Sequence, residues 1–140
     1  MKRLLIFPVL LIFLFGCFQP AQKTAALNEE FTLKIGETAS IPSEGLSITL
    51  VDVPEDSRCP TDVVCVWAGR TTVTLQVKKD GNDLGGFNAT TQPGAEGTAA
   101  AISGYLIRIS GISPSPVSTT AIQKSDYLVT MVVVKSTALG

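Results

Sequence analysis

Residues 71–83 read TTVTLQVKKDGND, and their pattern decides the fold class. Val73, Leu75 and Val77 alternate with Thr72, Thr74, Gln76 and Lys78, the period-two pattern of a strand with one buried and one wet face. The following KDGND is a hairpin-turn signal, because Gly81 and Asn82 tolerate the positive φ that tight turns require. Working outward, FTLKI aligns Phe31, Leu33 and Ile35, LSITL aligns Leu46, Ile48 and Leu50, and YLIRI aligns Tyr105, Ile107 and Ile109. The run YLVTMVVVK, Tyr127 to Lys135, is apolar at nearly every residue and predicts a central strand covered on both faces. Helical periodicity is nearly absent. The segments between are rich in Gly, Pro, Ser, Thr and Ala, and Pro114 and Pro116 exclude a central strand around them. Six or seven short strands are expected. They predict an all-β fold, a small antiparallel β-sandwich, with an open β-barrel as the alternative.

A chain of 140 residues fits one such domain. Its first residues carry a different message. Lys2 and Arg3 form a positive start, Leu4 to Phe15 an apolar run of about a dozen residues, and Gly16 and Cys17 close it, which is the layout of a secretory signal. A spanning helix needs roughly 20 apolar residues, and this run meets Gln19, Pro20 and Gln22 too soon. Leu14-Phe15-Gly16-Cys17 resembles the bacterial lipobox, with Phe15 bulkier than that motif's usual residue. The resemblance implies cleavage before Cys17 and a diacylglyceryl group on its thiol, a firm anchor where a single acyl chain would be marginal. The expected organisation is a lipoprotein signal peptide over residues 1–16, a lipidated tether over 17–30 and one β domain over 31–140. The protein is then exported and held at the cell membrane or the outer membrane, with the domain facing the periplasm or the cell exterior. Treated as flexible coil, the roughly 13 residues of tether span about 20 Å.

Loss of Lys2 and Arg3 leaves nine basic against twelve acidic residues, a net charge of −3. The basic residues are scattered, with Lys78-Lys79 the longest remaining run, so no nucleic-acid partner is expected. Once Cys17 takes lipid, Cys59 and Cys65 remain as an even pair in an oxidising compartment, where disulfides persist. Closing their seven-residue ring removes unfolded-state entropy worth roughly 2.4 kcal/mol.

That pair sits in DSRCPTDVVCVWAGR, Asp56 to Arg70, beside the chain's single tryptophan. In one reading a strand runs from Val63 to a bend at Gly69, so that Cys65 and Trp67 share the parity of Val73, Leu75 and Val77 and face the core. The disulfide is then a local clamp, its ring too short for a bridge between sheets of the immunoglobulin type. In a second reading the loop displays Arg58, with Trp67 and Arg70, to an envelope partner; a fixed loop lowers the ordering cost of binding, and Arg and Trp are frequent interface anchors. A variant offers Arg58 to a protease as an inhibitor's substrate-like residue. Glu55, Asp56 and Asp62 are candidates for cupping a calcium ion, although their spacing fits no loop signature.

The Asp-Ser-Arg-Cys-Pro segment, a second cysteine six residues after the first, Trp-Ala-Gly, the later Pro114 and Pro116, and Asp126 to Thr130 together resemble a set of small, uncharacterised bacterial exported proteins, many of them lipoproteins. The likeness runs from about Leu46 to Lys135. It implies the disulfide and the envelope address and brings no activity with it.

The chain contains no histidine, which removes Ser-His-Asp and Cys-His machinery and histidine-ligated zinc. The acids are scattered over turns and tether. The sequence therefore predicts no enzyme, no cofactor and no metal site. It predicts a lipid-anchored envelope domain with a binding or structural role, the alternative being a protease inhibitor or ligand-binding module that uses the loop from Arg58 to Trp67.

Overall fold

The computed structural model describes residues 21–92 and 99–137; the expected signal segment and Cys17 lie outside the described residues. Nine strands are present among these: β1 (Gln22–Thr24), β2 (Glu30–Lys34), β3 (Thr38–Ile41), β4 (Leu46–Asp56), β5 (Thr71–Lys79), β6 (Asn82–Thr91), β7 (Ala99–Ile102), β8 (Tyr105–Ser113) and β9 (Leu128–Lys135). They form a five-stranded sheet, β1-β3-β4-β5-β6, and a four-stranded sheet, β2-β9-β8-β7. All neighbours are antiparallel except β1 and β3. The two sheets pack face to face as a sandwich, and the barrel alternative does not form.

Alternation dictates what lies between the sheets. Leu46, Ile48 and Leu50 of β4 and Val73, Leu75 and Val77 of β5 meet Ile107 and Ile109 of β8 and Val129, Met131 and Val133 of β9, all buried. The intervening Thr72, Thr74 and Gln76 look outward and bond across strands, as in Thr72 Oγ1 to Thr90 Oγ1 at 3.0 Å. Such cross-strand pairs are the usual unit of sheet stabilisation.

Several expectations need correction. The strand count was too low because β1, β3, β6 and β7 are short or interrupted by Gly and Asn, and so give weak alternation. The β5–β6 hairpin turns on Asp80 (φ 50°) and Gly81 (φ 79°), one position earlier than expected, while Asn82 already belongs to β6. Two central residues with positive φ make the tight turn whose twist matches its strands. Ser103 (φ 47°) and Gly104 (φ 82°) repeat the device between β7 and β8. β9 is central in its sheet, between β2 and β8, but only Val129, Met131 and Val133 are fully buried; the alternate residues are half-exposed on the outer face. Residues 21–30, expected as free coil, are instead tied to the fold. Gln22, Lys23 and Thr24 pair in parallel with Thr38, Ala39 and Ser40, Lys23 donates to Thr32 O at 3.0 Å and pairs with Glu37 at 2.9 Å, and Ala25 and Leu27 pack on the core.

Strand directions fix the two ends of the sandwich. At one end, β4 stops at Asp56 and β9 begins just after Tyr127; at the other, β8 begins at Tyr105 opposite Lys135. β1 runs antiparallel to β4, since it parallels β3 and β3 opposes β4. Its first residue, Gln22, therefore points back toward the Asp56 end.

Candidate functional site: a clamped loop at one end of the sandwich

Residues 57–70 leave β4 and return as β5, whose Thr71 pairs with Asp56. The neck of this loop is stitched by Ser57 N donating to Arg70 O at 2.8 Å and Arg70 N donating to Ser57 Oγ at 3.0 Å. Gly69 makes that approach possible, because a Cβ there would stand 1.5 Å from Ser57 O.

Inside the neck, Arg58 folds back under the loop. Its Nε donates to Asp56 Oδ1 at 2.8 Å and its Nη2 to Asp56 Oδ2 at 2.7 Å, a two-pronged ion pair, while Nη1 reaches Ile112 O at 2.7 Å and Nη2 reaches Pro114 O at 2.9 Å. Planar guanidinium suits this fork, which lysine cannot reproduce. Asp56 also accepts from Tyr127 Oη at 3.0 Å and Thr71 Oγ1 at 3.2 Å. The Arg58 and Asp56 side chains are only 14% and 9% exposed. Burial alone would raise the Asp56 carboxyl, but the Arg58 fork and the Tyr127 hydroxyl outweigh it and hold the pKa below the ordinary aspartate value. Burial, helped by the neighbouring Asp56 charge, pushes the Tyr127 hydroxyl up to about 12.

A second brace joins the loop to the segment after β8. Thr61 N donates to Pro116 O at 2.9 Å, and Ser118 donates to Asp62 through its amide at 2.8 Å and its hydroxyl at 2.5 Å. The Ser118 hydroxyl and amide keep the Asp62 carboxyl below its usual pKa. Cys59 and Cys65 are bridged, their Cα atoms 5.9 Å apart. The disulfide thus closes the outer half of a loop whose inner half is already tied down.

What this frame holds out is apolar. Val64 is 101% exposed, Val66 89% and Trp67 83%, with Val63 and Val117 half-exposed beside them. Between the disulfide, Trp67, Ala68 and Pro116 runs an open groove of about 430 Å³. From 63 to 69 the sequence VVCVWAG carries no charged side chain.

The expected site residues therefore divide. Cys59 and Cys65 form the anticipated clamp. Trp67 does not join the core: residues 57–70 form no strand, so the parity that linked it to Val73 does not propagate. Arg58 is not displayed, since all of its guanidinium nitrogens are engaged within the fold. Arg70 is exposed and pairs with Glu55 at 3.0 Å. Glu55, Asp56 and Asp62 serve Arg70, Arg58 and Ser118 respectively and do not form a cup; among the described residues no group of three or more His, Cys, Asp or Glu converges. Tyr127 and Ser118 were missed as parts of the site. Tyr127 is a core residue by its ring, 6% exposed, and nothing in a single sequence tells that its hydroxyl meets a carboxylate 71 residues earlier.

The fold and the loop define a two-sheet β-sandwich with a braced apolar loop at one end. No family model, curated protein or solved structure matches the chain.

Proposed function

We propose that the protein is an exported, lipid-anchored, non-enzymatic binding module of the bacterial cell envelope whose contact surface is the apolar tip of the 57–70 loop. The observation that carries this reading is the exposure of Val64, Val66 and Trp67 together on a loop fixed by a disulfide, a buried ion pair and the Asp62–Ser118 bonds. Contiguous exposed apolar side chains on a monomer mark interaction sites, and fixing them beforehand removes the ordering cost of binding. The anchor rests on the lipobox resemblance at Leu14 to Cys17, and the oxidising address is supported by the Cys59–Cys65 bridge.

A photo-crosslinking side chain at position 64, in intact cells of the natural host, tests the tip. It should form adducts, whereas the same side chain at Thr74 on the outer face of the five-stranded sheet should not. Equal labelling at the two positions would remove the tip as the contact surface. Mass analysis of the N-terminal peptide for a diacylglyceryl group on Cys17 tests the anchor separately.

A further inference from the structure

We infer that the tip of the 57–70 loop seats in the interfacial layer of the same bilayer that holds the lipid anchor, giving the protein a second, non-covalent membrane contact. The inference rests on the lipid-anchored reading above and names the occupant of its contact surface.

Topology supplies the first argument. Because β1 opposes β4 and opens at Gln22, that first residue lies toward the end of the sandwich that carries the loop. Gln22 is five residue steps from Cys17, a reach of at most about 17 Å. Gln22 pairs with Thr38, and Thr38 with Thr49. From Thr49 to Asp56, β4 climbs at most about 23 Å, and the register shifts in that stretch shorten the climb. The leash and the climb are thus of similar length and direction. An anchored domain held that close presents the loop to the bilayer before the leash is taut. A tether of 13 free residues would have imposed no such orientation.

Chemistry supplies the second argument and decides between lipid and protein. The tip from Val63 to Gly69 is uncharged, and the charged residues that flank it are already engaged, Asp62 by hydrogen bonds from Ser118 and Arg70 by its ion pair with Glu55. Nothing there offers charge complementarity to a protein partner. Trp67 stands with its ring outward beside aliphatic Val64 and Val66, and tryptophan with aliphatic neighbours is what interfacial segments carry at headgroup depth. Attraction to anionic lipid contributes little to such a tip, so its seating is insensitive to salt.

Trp67 is the chain's only tryptophan, so its own fluorescence reports the contact. The full acylated protein, reconstituted in phosphatidylethanolamine–phosphatidylglycerol vesicles, should show emission shifted to the blue of that in detergent-free buffer. Brominated lipid should quench it and aqueous iodide should not, at low and high salt alike. Val64→Asp, at a fully exposed position, should stay anchored by its acyl group yet regain iodide quenching. Acylated protein whose Trp67 remains open to iodide overturns the inference and leaves the anchored reading standing. Trp67 open in pure lipid but shielded in native envelope membranes assigns the tip to a protein and also overturns it. Absence of the acyl group on Cys17 overturns both.

Discussion

Replacing Arg58 by alanine separates a loop that displays this residue from a fold that consumes it. In the structure the change strips Asp56 of both prongs of its ion pair and leaves Ile112 O without its Nη1 donor. Asp56 is 9% exposed, so its charge would remain buried with only the hydroxyls of Tyr127 and Thr71 and the backbone amide of residue 58 for company. Breaking a buried pair from one side costs about 3–5 kcal/mol. The lower end applies here, because three neutral donors persist and Pro114 O can turn to water. About 3 kcal/mol is a large fraction of the roughly 5–15 kcal/mol that holds a small domain folded. Arg58→Lys keeps the charge without the fork and should fall between wild type and alanine.

The assay is urea unfolding followed by far-ultraviolet circular dichroism, at neutral pH and again in acid. The wild-type Asp56 carboxyl is held below its unfolded value. Its stabilisation is therefore complete above the unfolded aspartate value of about 3.9 and is lost as pH falls through the lower folded value. Without the Arg58 side chain that lowering is lost while the burial that opposes it stays, so the carboxyl titrates higher in the variant and protonation costs the variant less than the wild type. The difference between the two should narrow on acidification. A variant within about 0.5 kcal/mol of wild type at neutral pH, the scatter of ordinary surface substitutions, would refute the buried-pair account and return Arg58 to the surface.

Trp67→Ala should change stability by less than about 0.5 kcal/mol, as for an exposed side chain; a loss of about 3–5 kcal/mol, the cost of emptying a core aromatic site, would mean the ring packs inside. Cys59→Ser and Cys65→Ser should each lower stability by about 2 kcal/mol from the closed ring alone, and unfolding midpoints equal to that of the oxidised wild type would show the bridge to be idle. Gly69→Ala forces a methyl against Ser57 O and should cost about 1–3 kcal/mol, as overpacking does; faster hydrogen exchange at the Ser57 and Arg70 amides would locate the damage at the neck, and unchanged exchange there would contradict it. Because the Tyr127 hydroxyl is raised to about 12, its contribution is complete below the unfolded tyrosine value of about 10 and is lost as pH rises between the two. Tyr127→Phe should flatten that alkaline limb, and an identical alkaline profile for the two proteins would remove Tyr127 from the latch.

The sheet cores were legible because β4, β5, β8 and β9 each bury alternate residues over the stretches between their register shifts, and a period of two survives any tertiary context that keeps one face dry. The loop was misread by the same rule. Val63, Cys65 and Trp67 share the parity of Val73, but parity speaks of burial only where a partner strand exists, and none pairs with residues 57–70. β1 was illegible for the opposite reason: its three residues are all exposed, and its pairing with β3 is a long-range fact without an apolar signature. The ion pair of Asp56 and Arg58 was visible as two nearby charges of opposite sign, yet its burial depends on Ile112, Pro114 and Tyr127, which arrive from the other sheet.

Each end of the sandwich is latched in the same way, by a tyrosine of one sheet donating to a carboxylate of the other. Tyr105 at the start of β8 donates to Glu44 Oε2 at 2.5 Å, just before β4, and Lys135 pairs with the same carboxylate at 2.9 Å. Tyr127 before β9 donates to Asp56 at the end of β4. A sandwich needs some such device, since its strands end in polar backbone that must find partners while the two sheets keep their spacing. The difference lies in what each latch carries. At the Glu44 end the cation is Lys135, 59% exposed and worth little beyond the surface. At the Asp56 end the cation is an arginine folded beneath fourteen residues of loop, so the latch and the loop's foundation are one structure. Removing the Glu44 latch should loosen two sheets; removing the Asp56 latch should also release the tip that holds Trp67 outward, which is why a device of similar chemistry is built so much deeper on that side.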